Sequence, residues 1–341
     1  MNQIIISQFE KLAYQTKQEE GNTFRTKSHF KVLNILKSIH FNITSKNQVN
    51  NISGIGISSK KRIDEIIQNG FLKELTNQTN LENDSTKKLA DLERITGIGP
   101  VKAKKILEKK LTLDKIVSQY KNNTLKESFT THQLLGIKHF HDLEKRIPYQ
   151  EINEIESYLK NILDKEYNRC NNSKVELEIC GSFRRNQPTS GDIDILFYSP
   201  ADNDLTNTEV TPLFIPYFLK ILWKNKFLVD NLTTLNSSTK YMGMCRYKDN
   251  PVRRIDIRYI PYSSIGSAKL YFTGSGEFNK NMRTFANKKG YKLNEYGLFK
   301  LKKDKTCGLK IKTRTENDIF TKLGLEYVTP ENRIPIHNFN I

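Results

Sequence analysis

Two short runs with aspartates on one face constrain the fold of this chain more than any other feature. The first run is GSFRRNQPTSGDIDILF over residues 181–197, and the second is RRIDIRYIP over residues 253–261. Side chains alternate between the two faces of a strand, so Asp192 and Asp194 face one way and their neighbouring isoleucines the other. By the same alternation Asp256 faces away from the isoleucines beside it. If the two strands are neighbours in one sheet, three carboxylates converge on one spot.

Converging carboxylates predict a metal site. Three such groups cannot all stay ionised unless cations neutralise them. Hard oxygen ligands with phosphate groups nearby suit magnesium. A D-x-D pair alone is common at solvated strand ends, but here a Gly-Ser turn with Arg184 and Arg185 precedes it and a third aspartate follows. The pattern therefore favours magnesium bound by Asp192, Asp194 and Asp256.

The charge of the chain indicates a polyanionic partner. Its 341 residues include 55 Lys and Arg against 37 Asp and Glu, which gives a formal net charge of +18. Such an excess is typical of nucleic-acid binding, although a basic proteome rich in Lys, Asn and Ile would produce it too. Because no apolar run approaches the length of a membrane span and no secretory signal is present, we expect an intracellular protein that binds no membrane.

A short pattern occurs twice in the N-terminal half. ISGIGISSKKRI begins at Ile52, and ITGIGPVKAKKI begins at Ile95. In each copy glycines permit a tight turn, and the amides that open the following basic helix suit a phosphate. G-x-G turns also join ordinary helices, but two copies with matched flanks favour helix-hairpin-helix contacts with the DNA backbone. The residues assigned to these contacts are Gly54, Gly56, Lys60, Lys61, Arg62, Gly97, Gly99 and Lys102.

Hydrophobic periodicity predicts a helical N-terminal part and a strand-rich remainder. Helices are expected within residues 1–80 and 86–145, and the polar stretch 77–85 between them is predicted to be a linker. Further helices are expected from Ile152 to about Glu166 and around residues 213–223. Strands are predicted at residues 175–179, 192–198, 241–247 and 254–260. This order of elements predicts helical domains joined to an α+β core.

The chain resembles the family X DNA polymerases over almost its full length. The matching segments occur in the family's order: both hairpins, LEKRIP, CGSFRR with SGDID, TKYMGMC, RRIDIR, LYFTGS, FNKNMR and NEY. The resemblance implies an α+β multidomain fold with helical hairpin modules, a nucleotidyltransferase-type palm with a mixed sheet, and a small α+β C-terminal subdomain. It implies a lyase-like domain, a DNA-binding subdomain, a palm and a nascent-base-pair subdomain at residues 1–78, 79–147, 148–261 and 262–341.

The resemblance implies a template-directed, gap-filling DNA polymerase of base-excision-type repair. It would add deoxynucleotides to a primer 3′ hydroxyl and release pyrophosphate. Asp192 and Asp194 would bridge two magnesium ions, or manganese, and Asp256 would lie beside the 3′ hydroxyl. Phosphoryl transfer needs placement and charge neutralisation more than covalent help, and two metal ions supply both.

The family match also assigns residues around the nucleotide and the DNA. A turn containing Tyr271 and Phe272 would crowd a 2′ hydroxyl, so deoxynucleotides would be preferred. The residues expected around the nucleotide are Arg146, Ser182, Arg185, Gly191, Tyr271, Phe272, Gly274 and Asn279. Those expected to contact DNA are Lys240, Arg254, Arg283 and Tyr296, and the set expected to rearrange on closing is Arg258, Glu295 and Tyr296.

A monovalent cation, sodium or potassium, is expected at each hairpin on backbone carbonyls. By the family match these belong to Asn50, Ile52 and Ile55 in the first hairpin and to Glu93, Ile95 and Ile98 in the second.

Two departures from the family pattern affect the predicted chemistry. Gly276 stands where the family often has an aspartate beside the incoming base, so a contact is lost. Arg62 stands where the lyase module carries a Schiff-base lysine. Since arginine is not deprotonated in proteins, it cannot serve as the amine nucleophile. Lys61 is adjacent, but one helical residue turns its side chain by roughly 100°. We therefore expect 5′-phosphate binding by Lys60, Lys61 and Arg62 with weak or absent lyase activity.

Two other functions are weighed against this one. A terminal-transferase-like enzyme usually has a longer loop before the third strand, whereas residues 230–241 are short here. A non-catalytic DNA-end-binding scaffold is disfavoured by the three retained carboxylates. The expected partners are gapped or nicked DNA, a deoxynucleoside triphosphate and a DNA ligase of the same pathway, with the protein a monomer. We expect it in the nucleus, or in a virion or viral factory if the source is a large DNA virus.

Overall fold

The computed structural model of the protein describes residues 2–18, 23–37, 39, 41–76, 80–169, 174–200, 211–237 and 239–333. The chain divides into two compact units, Met1–Phe129 and Thr130–Arg333, and the residues after Arg333 lie outside the described part. Among the described residues, we find no helix with both the length and the apolar character needed to cross a bilayer.

The first unit is helical. Its elements are α1 Asn2–Gln18, α2 Thr23–Lys37, a 3₁₀ turn Lys46–Val49, α3 Ile57–Asn69, α4 Lys73–Thr76, α5 Asn80–Glu93, α6 Pro100–Glu108 and α7 Leu113–Lys121. The apolar period of α2 places Leu33, Ile35 and Leu36 in a core shared with Phe9 of α1 and Ile63 of α3. This core holds the first hairpin against the helices that precede it.

The linker predicted at residues 77–85 is wrong over its described part. Residues 77–79 lie outside the described residues, but α5 begins at Asn80 and continues to Glu93. Polar residues such as Asn, Asp and Ser are only mildly unfavourable in a helix. The buried Leu92 lies near the end of α5, so the polar first turns extend a helix that is held in place further along.

The second unit combines helices with three sheets. Its helices are α8 Thr131–Lys138, α9 Phe140–Leu143, α10 Tyr149–Leu163, α11 Gly181–Arg184, α12 Thr211–Lys224, α13 Ile265–Thr273, α14 Gly276–Lys288 and α15 Glu316–Leu323. Its strands are β1 Ile147–Pro148, β2 Glu176–Ile179, β3 Thr189–Ser190, β4 Ile193–Tyr198, β5 Leu228–Asn231, β6 Lys240–Cys245, β7 Arg253–Tyr259, β8 Tyr291–Asn294, β9 Gly297–Leu301 and β10 Cys307–Ile311.

The central sheet has five strands in the order β2-β4-β7-β6-β5. The β4–β7 pair is parallel and the other pairs are antiparallel, so the sheet is mixed. Along β7 buried and half-buried residues alternate, and the buried isoleucines face a core that also holds residues of α10 and α12. These features confirm the predicted α+β fold class with a mixed sheet.

A smaller α+β assembly follows the central sheet. Strands β10, β9 and β8 form an antiparallel sheet in that order, and β1 and β3 form a separate two-stranded pair. Phe278 and Met282 of α14 pack with Ile319 and Phe320 of α15 into a core of their own. Helix α13 contributes Leu270 to this core, so the same helix borders the central sheet and the smaller assembly.

Candidate active site

Three carboxylates meet where β4 begins beside its parallel neighbour β7. Asp194 lies directly opposite Asp256 in the parallel register, and Asp192 immediately precedes β4. One carboxylate oxygen from each residue lies within 4.8 Å of the others. The alternation of the two strands therefore does bring the predicted residues together, and an all-oxygen donor set of this kind fits a hard divalent cation.

Burial and mutual repulsion disturb the ionisation of this acidic cluster. Burial, followed by the charges of Asp192 and Asp256, raises the pKa of Asp194 from 3.8 to about 7. Burial also raises the pKa of Asp256, although Arg254 opposes that shift. The Asp256 Oδ1 atom is buried and lacks a hydrogen-bond partner among the described residues. A cation bound here would satisfy that oxygen and relieve the repulsion.

Arg254 lies beside the cluster. Its NH2 atom is 3.1 Å from Asp256 Oδ2 and 3.4 Å from Asp192 Oδ2. The family resemblance assigns Arg254 to the primer strand, and that role stays a prediction. The geometry adds a positive charge that partly balances two of the three carboxylates.

A tight turn at Gly181 allows the backbone to pass close to the acidic cluster. Gly181 has φ +61°, and a Cβ atom there would lie 2.5 Å from Asp194 Oδ2. The backbone amide of Cys180 donates to the Asp194 carbonyl at 2.8 Å, which joins the turn to β4. The glycine of the CGSFRR segment is therefore needed both for its backbone conformation and for the absence of a side chain.

One cavity of about 620 Å³ collects most of the predicted site residues. The three aspartates form part of its lining, so the remaining space adjoins the acidic cluster. The residues expected around the nucleotide all line it: Arg146, Ser182, Arg185, Gly191, Tyr271, Phe272, Gly274 and Asn279. Arg258, Gly276, Glu295 and Tyr296 line it as well.

Cationic and amide groups give this cavity its polar character. Arg146 is fixed by donating from NH2 to the Thr189 carbonyl at 2.8 Å. Arg185 donates to the carbonyl of Thr273, and Asn279 Nδ2 donates to the Tyr271 carbonyl at 2.6 Å. Gly276 leaves open space where a side chain would begin. A cavity lined by both carboxylates and arginines can hold a metal-bound polyphosphate.

Three of the predicted DNA contacts, Lys240, Arg254 and Arg283, do not line this cavity. Arg283 lies over the ring of Tyr271, with its Cζ atom 6.0 Å from the ring centroid. Lys240 is exposed on β6, opposite Arg258 of β7. Their assignment to the primer and template strands stays a prediction.

A buried ion network behind the cavity was not foreseen. Arg184 donates to Glu316 through NH1 at 3.0 Å and NH2 at 2.7 Å, and its Nε lies 2.6 Å from Glu178. Arg333 donates to the same Glu316 at 2.6 Å. Burial works against ionisation of Glu316, but these arginines outweigh it and lower its pKa. Since Arg184 also donates to Thr273 at 2.5 Å, the network fixes the turn that carries Arg185.

The two hairpins of the first unit have matching geometry. Gly54 and Gly97 both have φ +88°, which explains the first glycine of each G-x-G. Gly56 and Gly99 then cap α3 and α6 without a side-chain hydrogen bond to the helix amides. The helix starts therefore have no side-chain cap, and phosphate binding there stays a prediction.

The basic residues near the hairpins are largely engaged within the protein. Lys60 Nζ donates to the Asn50 carbonyl at 2.7 Å, and Lys102 Nζ donates to Glu127 at 3.0 Å. Arg62 pairs with Glu74 through both Nε and NH2. Hydrogen bonds from Arg62 lower the pKa of Glu74 below its ordinary value. Lys61 is exposed.

Comparison with known proteins gives the same picture along the chain. The model for a helix-hairpin-helix domain matches residues 1–72, that for the DNA polymerase beta palm matches residues 146–262, and that for the DNA polymerase beta thumb matches residues 268–334. The three matches occur in the order in which the hairpin, the central sheet and the smaller assembly follow one another.

Individual relatives match over most of this chain. DNA polymerase lambda of Rattus norvegicus is 32% identical over 326 residues, which cover 92% of this chain and 53% of that protein. DNA polymerase lambda of Arabidopsis thaliana is 28% identical over 329 residues, covering 92% and 58%. DNA polymerase IV of Saccharomyces cerevisiae is 23% identical over 410 residues, covering 97% and 66%. The chain thus spans little more than half the length of the two lambda relatives. With its acidic cluster, its paired hairpins and these matches in one order, the chain belongs to the family X DNA polymerases.

Proposed function

We propose that the protein is a template-directed DNA polymerase that fills short gaps by adding deoxynucleotides to a primer 3′ hydroxyl. The observation that carries the proposal is the acidic cluster of Asp192, Asp194 and Asp256 at the edge of a cavity lined by Arg146 and Arg185. Carboxylates for metal ions beside arginines for phosphates are the two requirements of phosphoryl transfer from a nucleoside triphosphate.

The proposed chemistry uses both the carboxylates and the arginines of the cavity. Two magnesium ions bound by the carboxylates would neutralise the phosphates and activate the attacking oxygen. With the primer end beside Asp256, the 3′ oxygen of the primer bonds to the α-phosphorus as its hydroxyl proton passes to solvent. The bond from that phosphorus to the bridging oxygen breaks, and pyrophosphate leaves. Arg185 and Ser182 hold the triphosphate in line for this exchange, which is the main service a protein gives to phosphoryl transfer.

Selection of the sugar and the base is assigned to the end of α13 with the turn that follows it, and to α14. The backbone at Tyr271 and Phe272 would crowd a ribose 2′ hydroxyl. Asn279 Nδ2 donates to the Tyr271 carbonyl at 2.6 Å, and the family match assigns this residue to the edge of the incoming base. With Gly276 the cavity is open beside the base, so we expect weaker nucleotide binding than an aspartate at this position would give.

Template dependence is the decisive test of the proposed reaction. A one-nucleotide gap is offered in four versions, one for each templating base, together with all four deoxynucleotides. We expect the complementary nucleotide to be added in each case, and ribonucleotides to be used poorly. Preferential extension of a lone single strand, irrespective of a template, would instead identify a terminal-transferase-like enzyme.

The first unit is proposed to bind the 5′ end of the gap without effective lyase chemistry. Arg62 holds the position of the expected nucleophile, and its ion pair with Glu74 fixes its guanidinium. Because Lys60 and Arg62 are engaged within the unit, Lys61 and the hairpin amides remain the groups that would receive a 5′ phosphate.

Borohydride trapping on an incised abasic site tests this second proposal. The wild type should give little covalent product while still binding the gap more tightly when a 5′ phosphate is present. Efficient trapping that disappears in Lys61→Ala would show that Lys61 serves as the nucleophile, and the proposal would be wrong. Lys73→Ala, which alters an exposed lysine elsewhere in the same unit, is the matched control.

The hairpins differ in their proposed need for a monovalent cation. At the second hairpin the carbonyls of Glu93, Ile95 and Ile98 are proposed to bind sodium or potassium. At the first, the Lys60 ammonium already donates to one of the three expected carbonyls, that of Asn50. We therefore propose that gap binding depends less on a monovalent cation at the first hairpin than at the second. Lys60→Met removes the ammonium group, so this variant should need more potassium than the wild type for gap binding in a potassium titration.

Its place in the cell is proposed from the reaction alone. Short-gap synthesis suits base-excision-type repair, in which a DNA ligase seals the product, and we propose that the protein acts as a monomer. It would work in the nucleus, or in a viral factory or virion if a large DNA virus encodes it.

A further inference from the structure

A strongly basic β-hairpin extends from the smaller assembly of the second unit. Strands β9 and β10 form it, with the sequence GLFKLKKDKTCGLKIK over residues 297–312. Its lysines are exposed: Lys300, Lys302, Lys303, Lys305, Lys310 and Lys312. None of them lines the nucleotide cavity, and neither the helix-hairpin-helix repeats nor the acidic cluster includes them.

Its charge is not offset within the hairpin. Asp304 is the one acidic residue between Lys300 and Lys312. It accepts hydrogen bonds from the Thr306 amide at 2.9 Å and from Thr306 Oγ1 at 2.6 Å, so it serves the turn itself. The tip therefore presents concentrated positive charge, which attracts a polyanion.

The base of the hairpin is fixed to the rim of the nucleotide cavity. Lys310 Nζ donates to Ser264 Oγ at 2.9 Å, and Ser264 Oγ donates to the Tyr296 carbonyl at 2.8 Å. Tyr296 lines the cavity and lies in the turn between β8 and β9. The hairpin thus has a fixed origin at the site where the proposed reaction occurs.

The length of the strand sets how far the tip lies from that site. A strand rises about 3.4 Å per residue, so the six residues from Tyr296 to Lys302 span roughly 20 Å. Successive phosphates of one DNA strand are about 3.4 Å apart along the helix axis, so this reach corresponds to roughly six base pairs.

Protection of a sheet edge is the competing explanation for these lysines. Strand β10 is an edge strand, and lysines on an edge hinder pairing with another chain. That need could account for Lys310 and Lys312. It does not account for Lys302, Lys303 and Lys305, because they belong to the turn after the last ladder pair, Leu301 with Cys307, and the Lys302 amide is already bonded to the Thr306 carbonyl at 3.0 Å.

We propose that the tip of this hairpin binds the phosphate backbone of the DNA substrate, about six base pairs from the nucleotide cavity. The duplex flanking the gap on one side would run along the hairpin, and Lys302, Lys303 and Lys305 would contact successive phosphates. The inference rests on the proposed function, since it requires DNA to enter at the cavity.

Salt-dependent binding of gapped DNA tests the contact. The variant is Lys302→Gln/Lys303→Gln/Lys305→Gln, and the control is Lys220→Gln/Lys224→Gln/Lys226→Gln, which removes the same charge from exposed positions in or just after α12. Fluorescence anisotropy gives the Kd from 50 to 200 mM KCl, on gaps whose two flanks are shortened in turn from about twelve to about four base pairs. No nucleotide is added, so the result does not depend on catalysis.

Loss of three phosphate contacts should lower the salt slope by about 2.7. On long flanks, the ratio of the variant's Kd to that of the wild type should then decrease about 40-fold between 50 and 200 mM KCl. Shortening one particular flank should remove the difference, while the control should bind as the wild type does. An unchanged slope, or a loss that is the same at both flank lengths, would overturn the inference.

Sedimentation of the same variant distinguishes edge protection from DNA contact. Self-association of the variant with unaltered DNA affinity would assign the lysines to edge protection and refute the contact. Failure of the proposed function can be told apart from failure of this inference. The first appears as a lack of nucleotide addition, and the second as a lack of the flank-dependent difference in DNA affinity, which is measured without nucleotide.

Discussion

Replacing Asp194 with asparagine should stabilise the protein in the absence of divalent metal while removing its polymerase activity. Asp194 is crowded by Asp192 and Asp256 and largely buried, and its pKa is raised from 3.8 to about 7. A shift of this size corresponds to roughly 4 kcal/mol of penalty on the charged form at alkaline pH. Burying an asparagine amide costs about 1–2 kcal/mol, so the expected net gain for Asp194→Asn at pH 8 is about 2 kcal/mol.

The sign of the pH dependence follows from the raised pKa. The protonated Asp194 side chain contributes stability that is fully present below its unfolded-state pKa of 3.8. This contribution is lost as the pH rises through about 7. The free energy of unfolding of the wild type should therefore decrease progressively, relative to that of Asp194→Asn, between pH 4 and pH 7. At pH 5 only part of the penalty applies, and it nearly balances the cost of the amide, so the two proteins should be about equally stable there.

Thermal unfolding in EDTA at pH 5 and pH 8 measures the effect. For a unit of this size, about 2 kcal/mol corresponds to roughly 4–8 °C in Tm at pH 8. Asp249→Asn, at an exposed position after β6, is the control and should leave Tm unchanged. Magnesium should stabilise the wild type by mass action and leave Asp194→Asn almost unaffected. A variant no more stable than the wild type at pH 8 would refute the idea that repulsion within the cluster is significant.

Three further perturbations test other parts of the structure. Arg62→Lys alone should still give little borohydride-trapped product, because Glu74 would keep the new amine protonated. Arg62→Lys/Glu74→Gln should give more trapped product, and equal trapping by the two variants would contradict this. Glu151→Ala should cost about 3–5 kcal/mol in chemical denaturation because it strands the buried Arg253, and Arg253→Met/Glu151→Leu should recover much of that loss. Gly181→Ala should reduce kcat/KM about a hundredfold by displacing Asp194 while DNA affinity is retained, and activity near that of the wild type would argue against the close approach at this turn.

Local periodicity was sufficient to predict the centre of the fold. The strands β4 and β7 were expected within a residue of their observed ends, because buried isoleucines alternate with half-buried polar residues along β7 and at the start of β4. Since the alternation also decides which side chains share a face, it predicted the convergence of Asp194 and Asp256 once the strands are paired. The paired glycines of the hairpins were predictable for a similar reason, because a positive φ leaves a clear trace in the sequence.

Long-range partners could not be predicted in the same way. Arg184 and Glu316 are 132 residues apart, and nothing in either local sequence indicates that they pair. The engagement of Arg62 with Glu74 likewise depends on how α4 packs near α3. The repeated hairpin pattern and its basic helices indicated a DNA-binding role for Lys60 and Lys102, but whether a lysine faces solvent or bonds within the protein depends on the fold. The polar start of α5 was misread because a helix can continue from a buried segment into polar residues.

Single-nucleotide extension by the wild type and by Asp256→Asn, with gap binding measured on the same samples, tests the account most directly. In magnesium the wild type should add one complementary nucleotide to the primer and release one pyrophosphate. Asp256→Asn should bind the gapped DNA about as tightly and add almost nothing, because the acidic cluster has lost the carboxylate assigned to the primer end. Failure of the wild type to extend in either magnesium or manganese, with gap binding intact, would contradict the account and identify a DNA-end-binding scaffold.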